Sequence, residues 1–104
     1  MNLVVLCTVP DEGSAGRIAQ ALVAEGLAAC VNVLPRLSSV YRWEGEVRSS
    51  EEVLLILKTR QERYAALEAR VKELHPYTVP EIIALPIQQG SKDYLDWLLQ
   101  STQP

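Results

Sequence analysis

The chain has 104 residues, 48% of them hydrophobic, and a net charge of −3, which fits one packed domain spanning 1–104 and excludes a disordered or fibrous protein. Its 13 acidic residues outnumber the 10 basic ones and no basic run occurs, so nucleic acid is not an expected partner. The longest apolar run, Val53 to Leu57, is too short to cross a bilayer, and Met1 to Val5 lacks the basic region of a signal peptide, so the expected location is the cytoplasm.

Leu3 to Thr8 is short, apolar and β-branched, the pattern of a buried strand. Pro10-Asp11-Glu12-Gly13 breaks it, and Ser14 is positioned to cap a helix with apolar residues at Ala15, Ile18, Ala19 and Leu22. Gly26 ends that helix in the left-handed conformation. A second strand starts at Ala29, is interrupted at Pro35 and resumes at Ser39. Glu44-Gly45 turns the chain as a bulged hairpin, and the return strand runs from Glu46 to Thr59. Arg48 to Glu52 reads as a solvated outer half, and a hairpin this long overreaches a small domain. Tyr41 and Trp43 on one face of it therefore point to burial against another subunit.

Thr59-Arg60-Gln61-Glu62 has the form of a capping box. The helix after it places Tyr64, Leu67, Val71 and Leu74 on one face and pairs Glu68 with Lys72 on the other. Leu74-His75-Pro76-Tyr77-Thr78-Val79-Pro80-Glu81 follows, a stretch stiffened by two prolines that holds the only histidine. His75 either caps the helix through its ring or serves as a ligand. The last strand starts at Glu81 and is marked as an edge by Pro86. Gly90-Ser91 then opens a short helix carrying Tyr94, Leu95, Leu98 and Leu99.

The order β-α-β-β-α-β with an extra C-terminal helix gives an α+β, ferredoxin-like sandwich. With the first strand taken as parallel to the third and antiparallel to the fourth, one sheet edge gathers Cys7, Cys30, Lys58, His75 and Glu81. Thiol and imidazole suit copper or zinc. Lysine and glutamate suit an anionic small molecule, or simply each other. Cys7 and Cys30 form no Cys-x-x-Cys pair and read otherwise as small buried hydrophobes. No nucleophile–base pair stands out, so the chain is not expected to be an enzyme.

Cys7-Thr8-Val9-Pro10, Leu27 to Asn32, Ser39 to Glu46, Lys58-Thr59, His75-Pro76-Tyr77, Pro80-Glu81-Ile82 and Tyr94-Leu95-x-Trp97 resemble, in fixed order, the CutA family of divalent-cation tolerance proteins. The resemblance implies a homotrimer similar to the PII-type signalling proteins, with Tyr41 and Trp43 in the subunit interface. It also implies binding of copper or another divalent cation, not required for folding, through Cys7 and His75. The family's histidine pair is halved here, because Leu74 precedes His75, so Glu81, water or a neighbouring subunit must complete the ligand set. The alternative is a PII-like module that binds a small molecule in a cleft near Lys58, Tyr77 and Glu81.

Overall fold

A computed structural model describes residues 1–104. The elements are β1 (Asn2–Val9), α1 (Glu12–Ala24), β2 (Cys30–Trp43), β3 (Glu46–Arg60), α2 (Gln61–Leu74), β4 (Ile82–Pro86) and α3 (Lys92–Ser101). The strands form a single sheet in the order β2-β3-β1-β4. Alternate residues of the central strands, Leu3, Val5, Cys7 and Val9 on β1 and Val53, Leu55 and Leu57 on β3, are buried. They meet Ala15, Ile18 and Leu22 of α1 and Leu67 and Val71 of α2 in one core. No helix is long and apolar enough to cross a membrane.

Every pairing in the sheet is antiparallel, β1 with β3 included. The expected parallel pairing of β1 and β3 is therefore corrected. A crossover through α1 makes β1 parallel to β2, and the hairpin then reverses direction into β3, which inserts between them. Cys7 consequently faces Leu55, and Lys58 faces Val4. This places Lys58 toward the opposite end of the sheet from Cys7.

Several junctions also differ from expectation. Asp11, not Ser14, is the N-cap of α1, and its carboxylate accepts the Ser14 N–H at 2.7 Å. The capping box does not form, because β3 continues to Arg60 and α2 has no side-chain cap. Thr59 instead points into the core, fully buried, and its hydroxyl donates to the Leu27 carbonyl at 2.7 Å. Gly26 does follow α1 with φ of 71°, as expected.

The hairpin turn is a two-residue loop between the paired Trp43 and Glu46. Glu44 and Gly45 have φ of 51° and 79°, the signature of a tight turn whose twist matches the strands. The bulge lies elsewhere. β2 runs unbroken through Pro35, but its register against β3 shifts between Leu34 and Leu37, with Arg36 at a φ of 64°. Three steps on β2 oppose two on β3 there, from Leu34↔Leu54 to Leu37↔Glu52. One extra residue inverts the alternation of side chains. Tyr41 and Trp43 therefore share the face of Cys30, Asn32 and Leu34, the face turned away from α1 and α2. The hairpin stretches the chain to 44 × 25 × 22 Å with a radius of gyration of 14.1 Å, against about 13 Å for a compact chain of this length.

Candidate functional site

The prolines at 76 and 80 hold the α2–β4 connection across the end of β1, where Cys7 pairs with Ile82. Cys7 has no exposed surface, and its thiol makes only a weak contact with the Thr8 carbonyl at 3.8 Å. Burial, followed by the negative charges of Glu81 and Glu52, pushes this thiol up to about 12. It is therefore a protonated thiol at neutral pH, not the thiolate that binds metals and attacks electrophiles.

His75 ends α2, and its backbone N–H donates to the Val71 carbonyl at 2.8 Å. The ring does not cap the helix, contrary to one expectation. Its Nδ1 accepts the Tyr77 backbone N–H at 3.1 Å, and its Nε2 lies 2.7 Å from the Thr8 carbonyl oxygen. A nitrogen that accepts carries no proton, so the ring is the neutral tautomer in which Nε2–H donates to Thr8. The histidine thus ties the connection to β1. Tyr77 packs on its ring with centroids 4.9 Å apart and donates its hydroxyl to Glu52 at 2.9 Å. Burial first, and then that bond to Glu52, raises the Tyr77 phenol to about 12.

The three residues singled out for metal binding, Cys7, His75 and Glu81, do share this end of the sheet. As they stand they do not fit a cation. The thiol is neutral and sealed, both imidazole nitrogens are engaged, and no three His, Cys, Asp or Glu side chains converge. A closed site needs three or four ligands. Glu81 is the only one of the three that is exposed.

Lys58 does not join Tyr77 and Glu81 within one chain. It pairs with Cys30 across the β2–β3 ladder, and its ammonium hydrogen-bonds Asn32. Cys30 likewise sits away from Cys7, because β2 starts beside the end of β3. Glu52 was not marked by the sequence at all. It is 7% exposed although it closes the run Arg48 to Glu52, and no local pattern shows that Tyr77, 25 residues on, covers it. It also walls, with Pro10, Asp11, Glu12, Arg36 and Glu51, a shallow cleft of about 170 Å³ beside the bulge. Tyr41 and Trp43 are 40% and 46% exposed, and the Tyr41 hydroxyl shares a hydrogen bond with Ser50 at 2.8 Å.

Comparison with known proteins adds the following. The model of a family described as CutA1 divalent ion tolerance protein matches residues 3–101. A divalent-cation tolerance protein CutA of Thermus thermophilus is 58% identical over 102 residues, which are 98% of this chain and 99% of the relative. The structure of a Thermus thermophilus divalent cation tolerance protein superposes with a TM-score of 0.97 at 58% identity, covering 98% of this chain and 99% of the other. Rice CutA1 superposes with a TM-score of 0.95 at 49% identity, covering 98% and 94% of the two chains.

Proposed function

This chain belongs to the CutA1 family of divalent ion tolerance proteins, and from that premise we propose that it acts in cation tolerance as a homotrimer rather than through a metal site closed within one subunit. The observation that carries this reading is the hairpin. None of the fourteen residues of β2 is buried in the single chain, yet Val40, Tyr41 and Trp43 on it, and Val47 across from them on β3, are large, apolar and exposed. Edge strands that long and apolar invite pairing with another chain. The names of the relatives describe tolerance of cations and no reaction, which agrees with a non-catalytic role.

Copper or another divalent cation is the ligand in this reading. It meets the assembly through exposed oxygen donors such as Glu81, completed by a neighbouring subunit, and leaves the Cys7–His75 pair to its structural task. Calorimetric titration of the reduced protein with copper and with zinc tests this on wild type, Cys7→Ser, His75→Ala and Glu81→Gln. Binding is expected to survive Cys7→Ser and to weaken in Glu81→Gln. Tight binding abolished by both Cys7→Ser and His75→Ala would show instead that the core opens to make a thiolate–imidazole site.

A further inference from the structure

We propose that Cys30 and Lys58 form an oxidation-responsive pair, in which peroxide converts the Cys30 thiol to a sulfenic acid and the Lys58 amine captures it as a sulfur–nitrogen cross-link between β2 and β3.

The two residues face each other directly in the antiparallel ladder, and the neighbouring Ala29 N–H donates to the Lys58 carbonyl at 2.8 Å. Their separation is set by the backbone rather than by a mobile loop. Lys58 Nζ lies 3.8 Å from Cys30 Sγ. Asn32, next on the same face, accepts a hydrogen bond from that ammonium and has its Oδ1 4.0 Å from the sulfur. The Tyr94 hydroxyl of α3 also neighbours the thiol. The sulfur keeps exposed surface through which an oxidant can reach it, with the amine already within van der Waals reach. The same ammonium repels metal cations, so the pair suits oxidation better than metal binding. Cys30 is also the one cysteine with exposed surface, since Cys7 is sealed in the core. This pair takes no part in the cation contacts proposed above.

The chemistry balances with hydrogen peroxide as the oxidant. A sulfur electron pair attacks one peroxide oxygen, the O–O bond breaks, and the second oxygen leaves as water once protonated. Sulfur is oxidised to the sulfenic acid and peroxide is reduced. Lys58 releases one proton to solvent, and its lone pair then attacks sulfur. The S–O bond breaks, and a second water departs with the hydroxyl and one amine hydrogen. A nitrogen trap of this kind halts the thiol before the irreversible acids.

The test treats the full chain with hydrogen peroxide at neutral pH and follows it by intact mass and by peptide mapping without reductant. Wild type is expected to lose two hydrogen atoms, to yield a peptide joining Cys30 to Lys58, and to regain its parent mass with dithiothreitol. Cys7→Ser is expected to do the same, which excludes a disulfide between the two cysteines. Lys58→Arg retains the positive charge without a primary amine, and is expected to lose the cross-link and accumulate oxygen on Cys30. Thermal melting of the untreated variants confirms that they fold. Absence of the joined peptide in wild type overturns the proposal, whether Cys30 stays reduced, stops at oxygen acids or forms disulfides. Persistence of the same two-hydrogen loss in Lys58→Arg overturns it equally.

Discussion

At neutral pH the Cys7 thiol is protonated in the folded and the unfolded chain alike, so its burial there costs nothing in ionisation. The folded-state value is raised to about 12 from an ordinary 9.0. Above about pH 9 the unfolded chain therefore releases a proton that the folded chain retains, and stability falls until the folded thiol itself ionises. The full span corresponds to roughly 4 kcal/mol, and Tyr77, raised in the same direction, adds to the slope. Denaturant titrations between about pH 8 and about pH 11 should show the midpoint falling with pH, with a shallower fall in Cys7→Ala. Equal slopes in both proteins would mean that Cys7 is not sealed from solvent. His75 shows the same scale from another side. Its place at the end of a helix was legible from the chain, but its partner Thr8 lies 67 residues away. Nothing local distinguishes a ring that caps its own helix from one that pins a loop to a distant strand.

β1, β3, α1 and α2 are plain in the sequence because each buries one face at its own period: alternate residues on the strands, and every third or fourth on the helices. Junctions were less legible, since capping signals compete with a strand that simply continues. Thr59 has the form of a cap residue, yet it ends a buried strand face and satisfies the Leu27 carbonyl. Thr59→Val keeps the shape and removes the donor, and it should destabilise the fold by about 1–3 kcal/mol. Urea unfolding measures this. No loss would mean that the Leu27 carbonyl finds another donor. The direction of β1 against β3 departs from expectation for a different reason. It follows from counting reversals through the crossover and the hairpin rather than from any residue, and with it moved Lys58 and Cys30.

For the whole molecule, the longest feature of the fold, the hairpin, finds too little of its own chain to cover it. Trp43→Glu replaces an exposed aromatic of the hairpin with a charge while leaving the core untouched. Light scattering should report a trimer for wild type and a smaller species for the variant, with the circular dichroism of the subunit retained. A variant that stays trimeric would move the interface elsewhere on the sheet. The bulge at Pro35–Arg36 bears on how such a protein can vary over time. Because one supernumerary residue decides which side chains of β2 look outward, the hairpin has something like a reading frame. Loss or gain of a single residue in one arm is a frameshift that turns Tyr41 and Trp43 inward and Val40 and Arg42 outward, while matched changes in both arms only shorten or lengthen the ribbon. Length variation among descendants of this sequence should therefore be tolerated at the tip in pairs and resisted singly along the arms.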